Sequence, residues 1–76
     1  MTKKLSDLAE GESGIIHAFE KDDIYLKLME MGCVPGEEVS VEAIAPLGDP
    51  ISIKISGYLL SMRKEEAALI WVNTAS

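Results

Sequence analysis

The first candidates for catalytic chemistry in this chain of 76 residues are its one histidine, its one cysteine and its one arginine, His17, Cys33 and Arg63. Nucleophilic catalysis commonly pairs a serine or cysteine with a histidine that acts as the base, and His17 is the one histidine that could serve. His17 lies within an apolar segment and is interpreted as a structural or surface histidine, and Cys33 as a small buried apolar residue. Arg63 has the chemistry of an arginine finger for a partner's nucleotide, but the adjacent Glu65 and Glu66 favour surface pairing. The sequence therefore predicts no enzyme.

Metal ligands are numerous but have no recognisable spacing. The donors are the histidine, the cysteine, four methionines and thirteen carboxylates, and none of them follow the CxxC or HxxxH patterns of metal sites. The pairs Asp22–Asp23 and Glu37–Glu38 are typical of solvated turns. We expect no cofactor and no intrinsic metal site. Weak or interfacial binding stays open, so the alternative is a metal-responsive regulator or carrier that binds a transition metal ion itself.

Charge and hydropathy limit the partners. Thirteen acidic residues against seven basic ones give a net charge of −6, which opposes binding to a nucleic-acid backbone or an anionic membrane. The longest apolar run, residues 67–72, is far shorter than the roughly 20 residues needed to span a bilayer, and the N-terminus lacks the apolar stretch of a secretory signal. We expect a soluble cytoplasmic protein with no nucleic-acid partner and no direct membrane insertion.

The alternation of apolar and polar residues predicts a mainly β protein with one short helix. The segment at residues 51–56 is the clearest case, because isoleucines alternate there with serine and lysine. A loop from Pro46 to Pro50 precedes it. Short, closely spaced strands favour a small β-barrel of about five strands, with residues 1–76 as a single domain. The predicted strands are residues 14–19, 39–43, 51–56, 58–62 and 69–72, with a short turn at residues 63–67.

The predicted helix has more apolar surface than a core requires. Asp22 or Asp23 can cap it, its first turn starts at Ile24, and Gly32 can end it in the left-handed conformation. Its core stripe is Ile24, Leu28 and Met31, and a second apolar stripe consists of Tyr25, Leu26 and Met29. Either neighbouring loops cover this second stripe, or it docks a partner or a second copy of the chain. Self-association through the same residues therefore stays open.

Two longer motifs are more specific than any single residue. Residues 28–36 read Leu-Met-Glu-Met-Gly-Cys-Val-Pro-Gly, and residues 45–51 read Ala-Pro-Leu-Gly-Asp-Pro-Ile. Together with residues 5–8 and 58–63 they resemble the ferrous iron transport protein A (FeoA) family over roughly residues 5–73. Cys33 is a small departure, since a larger aliphatic residue is expected after the glycine.

The resemblance implies an SH3-like β-barrel. It also implies a cytoplasmic accessory of the GTPase-linked membrane permease that imports ferrous iron, acting as an interaction domain that docks on the cytoplasmic part of the permease. We expect Tyr25, Leu26 and Met29 to form the main contact. The loop of Leu47, Gly48 and Asp49, which lies within the second motif, is a further candidate for partner binding.

Overall fold

The computed structural model describes residues 1–20 and 23–74, and most of these residues lie in one antiparallel sheet. The strands are β1 (Thr2–Lys4), β2 (Ser13–Phe19), β3 (Glu38–Ile44), β4 (Ile51–Ile55), β5 (Tyr58–Met62) and β6 (Ile70–Asn73). Two short helices, α1 (Tyr25–Glu30) and α2 (Lys64–Ala67), lie between strands, and a 3-10 turn follows β1. The prediction of a small, mainly β protein is confirmed.

The sheet has the order β1-β6-β2-β3-β4-β5, so that β1 and β5 are its two edges within the described residues. The prediction of about five strands missed β1, whose Thr2 pairs with Asn73 of β6. The prediction of a single helix missed α2, which replaces the expected turn at residues 63–67. Neither segment carries strong periodicity, because each is too short to display a full apolar stripe.

The core lies on one face of the sheet. Ile51, Ile53 and Ile55 of β4 are all buried while Ser52 and Lys54 are not, as the alternating pattern predicts. Leu28 brings α1 into the same core, and Ile24 and Met31 pack against its edge, which confirms the predicted core stripe. The remaining large buried residues are Leu5, Leu8, Ile16, Val39, Val41, Met62, Ile70 and Val72.

The end of α1 is a Schellman motif built around Gly32. Gly32 has φ of +97°, and its N–H donates to the carbonyl oxygen of Met29 at 3.0 Å. The N–H of Cys33 donates to the carbonyl oxygen of Leu28 at 2.9 Å, and both side chains are buried. This satisfies the last carbonyls of the helix, and it confirms Gly32 as the predicted stop.

The start of α1 differs from the prediction. Ile24 occupies the N-cap position and no side chain caps the helix there, so the prediction that Asp23 caps it is wrong. Asp22, the other predicted cap, lies outside the described residues. The helix is held by packing of Leu28 and by its C-terminal motif, since six residues are too few for local propensity to stabilise a helix.

Candidate functional site

The predicted second stripe of α1 faces away from the core and is largely uncovered. Leu26 is 73% exposed and Tyr25 39% exposed, while Met29 is half-buried. Neighbouring loops therefore shield this stripe only in part, and the side chain at its apex is left in water. We call Tyr25, Leu26 and Met29 the helix face.

Three contacts hold α1, which carries the helix face, in position. The ring of Phe19 meets that of Tyr25 edge-on, with centroids 5.2 Å apart. The ammonium of Lys27 lies 3.0 Å from the carboxylate of Glu66 in α2. The hydroxyl of Tyr58 donates to the carbonyl oxygen of Met31 at 3.1 Å. A surface fixed in this way loses little conformational entropy on binding.

Glu66 joins the two helices electrostatically. Its carboxylate accepts a hydrogen bond from the backbone N–H of Arg63 at 2.9 Å as well as the contact from Lys27. These bonds, the backbone N–H foremost, hold the pKa of Glu66 below its ordinary value. Glu66 is therefore ionised at neutral pH, and α2 serves as a support for α1.

The second candidate segment, the loop of Leu47, Gly48 and Asp49, is ordered by its own hydrogen bonds. Gly48 has φ of +90°, and its N–H donates to the carbonyl oxygen of Ala45 at 2.7 Å. Leu47 at the tip is 96% exposed and makes no contribution to the core. The carboxylate of Asp49 accepts a bond from the backbone N–H of Lys64 at 2.9 Å. The loop, through Asp49, and α1, through Lys27, thus contact the same short helix, α2.

Asp49 accepts a hydrogen bond from the first N–H of α2, a structural role that the sequence did not reveal. We expect Asp49→Ala to lower the free energy of unfolding by about 1 kcal/mol, because it leaves the first N–H of α2 without its acceptor. Asp49→Asn keeps an acceptor oxygen and should lose less than half of that amount. Chemical denaturation of the two variants measures the difference. An equal decrease in the free energy of unfolding for both variants would show that Asp49 stabilises the chain through its charge and not through this hydrogen bond.

Two exposed apolar residues on β5 were missed by the sequence prediction. Tyr58 and Leu59 are 48% and 67% exposed. The run Tyr-Leu-Leu-Ser-Met places apolar residues on both faces of a strand. This pattern could have indicated that some of them are exposed.

The reactive side chains are not brought together. His17 lies exposed on β2, whereas Cys33 is fully buried at the end of α1. Within residues 1–20 and 23–74, no three histidine, cysteine or acidic side chains cluster so that they could hold a metal ion. In the same residues no helix has the length and apolar content needed to cross a bilayer.

The environment of Cys33 suppresses its reactivity. Burial, with a smaller contribution from the negative charge of Glu66, raises the pKa of the Cys33 thiol to about 11. At pH 8 roughly one thiol in a thousand is then ionised, against about a quarter for a free cysteine. We expect alkylation by iodoacetamide to be at least 100-fold slower in the folded chain than in guanidinium chloride. Mass spectrometry of timed samples checks this, and comparable rates would mean that the end of α1 opens readily.

Within the described residues, one six-stranded antiparallel sheet and two short helices define a small, mainly β domain. The zinc complex of FeoA from Stenotrophomonas maltophilia, described as a prokaryotic SH3 domain protein, is similar to this chain, with 31% identity and a TM-score of 0.78. The similarity covers 96% of this chain and 89% of that one. The SH3-like fold is therefore confirmed.

Residues 3–74 match the family model described as the FeoA domain, and the chain belongs to this family. The structure of an FeoA-like protein from Clostridium acetobutylicum has a TM-score of 0.90 at 33% identity and covers 99% of this chain and 88% of that one. A curated relative from Porphyromonas gingivalis, the Fe(2+) transport protein A/Fe(2+) transporter FeoB fusion protein, is 38% identical over 74 residues. This match covers 96% of the present chain but only 9% of the relative.

Proposed function

We propose that the chain is a cytoplasmic accessory protein of ferrous iron uptake that docks on the cytoplasmic part of a GTPase-linked, FeoB-type permease. The fusion protein from Porphyromonas gingivalis carries this proposal, since there a segment like this chain shares one polypeptide with the transporter FeoB. Covalent linkage keeps two modules at a high effective concentration. A separate chain needs a binding surface to achieve the same association.

The helix face supplies such a surface. Leu26 and Tyr25 are exposed, yet α1 is anchored at both ends by Phe19 and Tyr58. Aromatic residues and methionine are enriched in the centres of interfaces, and a short amphipathic helix can fit into an apolar groove. The loop of Leu47, Gly48 and Asp49 contributes Leu47 as a second apolar contact next to α2. The same residues would be hidden in a homodimer, so self-association competes with docking.

The proposed role is one of binding and involves no reaction. The charge of −6 disfavours nucleic acid as the partner, and Cys33 is buried away from any substrate. The chain thus contributes contact area to the permease, which supplies the transport and the nucleotide chemistry.

Uptake of radiolabelled ferrous iron tests this proposal. The assay uses cells that express the permease with no accessory chain, with the wild-type chain, or with Leu26→Glu. We expect the wild-type chain to raise the initial rate severalfold and Leu26→Glu to leave it near the level without the chain. An initial rate independent of the chain would contradict the proposal.

Metal binding by the chain itself is the second candidate, since its relative from Stenotrophomonas maltophilia forms a zinc complex. The described residues offer no cluster of three ligands, so a metal would have to bind through fewer side chains or between two copies. Titration with ferrous or zinc ions under reducing conditions separates the candidates. A saturable micromolar site that His17→Ala abolishes would favour a metal-responsive protein over a docking module.

A further inference from the structure

On the free edge of β5, the backbone groups of two residues have no partner among the residues that the structure describes. Ser56 and Gly57, with φ of +52° and +83°, form a two-residue turn, and Ile55 pairs with Tyr58 across it. In an antiparallel ladder, hydrogen-bonded and non-bonded pairs alternate from such a turn. Tyr58, Leu60 and Met62 therefore bond to β4, whereas the N–H and C=O groups of Leu59 and Ser61 point away from the sheet.

These outward groups are accessible. Leu59 is 67% exposed and Ser61 is also exposed. No hydrogen bond joins their backbone to any of the described residues outside the sheet. β5 is the terminal strand of the sheet in the described part of the chain. Two donors and two acceptors thus form a row of the kind that an added strand can pair with.

The two edges of the sheet differ in how well they are protected against pairing with another chain. β1 at the opposite edge carries Lys3 and Lys4, and lysine on an edge strand discourages pairing with another chain. β5 has the sequence Tyr-Leu-Leu-Ser-Met, without a charge or a proline. An exposed, apolar and uncharged edge strand promotes association, and of the two edges formed by the described strands only that of β5 has this character.

We propose that β5 binds an extended, acidic segment of the protein on which the chain docks, adding it to the sheet as a seventh strand. This inference rests on the proposed function and extends the contact from the helix face to the sheet. The segment pairs with the backbone of Leu59 and Ser61 and packs an apolar side chain against Leu59.

The charges around β5 favour an acidic occupant. Lys54 lies directly opposite Leu59 on the exposed face of β4, and Arg63 follows the strand. No carboxylate forms an ion pair with Lys54 or Arg63 among the described residues. At physiological salt, charges act over about 8 Å, so a carboxylate on a strand added beside Leu59 would interact with these cations.

Amide hydrogen exchange measured by NMR on the full chain tests the proposal, with the cytoplasmic part of the permease as the probe. In the free chain, the amides of Leu59 and Ser61 should exchange rapidly and those of Leu60 and Met62 slowly. In the complex, we expect exchange at Leu59 and Ser61 to slow at least tenfold. A complex in which these two amides remain fast overturns strand addition and leaves docking through the helix face intact. Failure to form any complex overturns both proposals. Slow exchange at these amides in the free chain at high concentration would assign β5 to a second copy and overturn the acidic occupant.

Two variants at one position separate the backbone from the side chain. Leu59→Pro removes only an outward N–H, which proline allows on an edge strand, and should weaken binding at least tenfold. Leu59→Thr keeps the N–H and should weaken binding less than threefold. Both melting temperatures are measured alongside. If Leu59→Pro does not fold, the exchange experiment on the wild-type chain still decides. Equal affinities of the two folded variants would contradict strand addition.

Discussion

Gly32→Ala is expected to lower the free energy of unfolding by about 2–3 kcal/mol. The left-handed backbone at φ of +97° costs an alanine about 1–2 kcal/mol. A Cβ at this position would also lie 2.5 Å from the hydroxyl oxygen of Tyr58. Tyr58 must then move and lose its hydrogen bond to Met31, at a further cost of about 1 kcal/mol. For a domain of this size the melting temperature should fall by roughly 10–20 °C.

Gly36→Ala is the matched control for this prediction. Gly36 has nearly the same φ, +96°, but nothing lies within 4 Å of the position that its Cβ would occupy. Gly36→Ala should therefore lower the free energy of unfolding by about 1–2 kcal/mol, because only the backbone conformation is strained. Denaturant unfolding of both variants gives the difference of about 1 kcal/mol that belongs to Tyr58. Identical losses would mean that Tyr58 does not anchor the end of α1.

Leu26→Glu is expected to weaken binding to the cytoplasmic part of the permease at least tenfold and to leave folding unchanged. Leu26 is mostly exposed, so its replacement removes little packing from the free chain. In a complex it would be desolvated, and a buried carboxylate without a partner is strongly unfavourable. Tyr25→Glu is a less specific variant, because it also removes the ring contact with Phe19.

Ala43→Glu controls for the added charge. Ala43 is exposed on β3, outside both candidate segments, and its substitution by glutamate changes the net charge as Leu26→Glu does. Calorimetric titration should give an affinity within about threefold of the wild-type value for Ala43→Glu. A similar affinity for Leu26→Glu, with an unchanged melting temperature, would exclude the helix face from the interface.

The sequence predicted those parts of the fold that have a regular pattern of apolar and polar residues or a recognisable helix end. Alternating isoleucines located β4 and its buried face, and the run ending in Gly32 located the end of α1. The prediction of the helix face came from the excess of apolar residues on a short helix, and the structure leaves Leu26 uncovered as one of its two alternatives requires. Whether a partner binds there stays a prediction.

The missed features depend on contacts between distant residues. β1 is three residues long and exists because β6, some 70 residues later, provides a pairing edge. The sequence places Asp49 in a loop. Its hydrogen bond from the backbone N–H of Lys64 forms only when the loop packs against α2. The free edge of β5 follows from the order of strands in the sheet, which periodicity does not encode.

Calorimetric titration of the wild-type chain into the purified cytoplasmic part of the permease addresses docking most directly. We expect one saturable site with micromolar or tighter affinity, and a negative heat-capacity change because apolar side chains leave water. Absence of binding at protein concentrations of about 100 μM, a value well above a micromolar dissociation constant, would contradict a role for this chain as a docking partner of the permease.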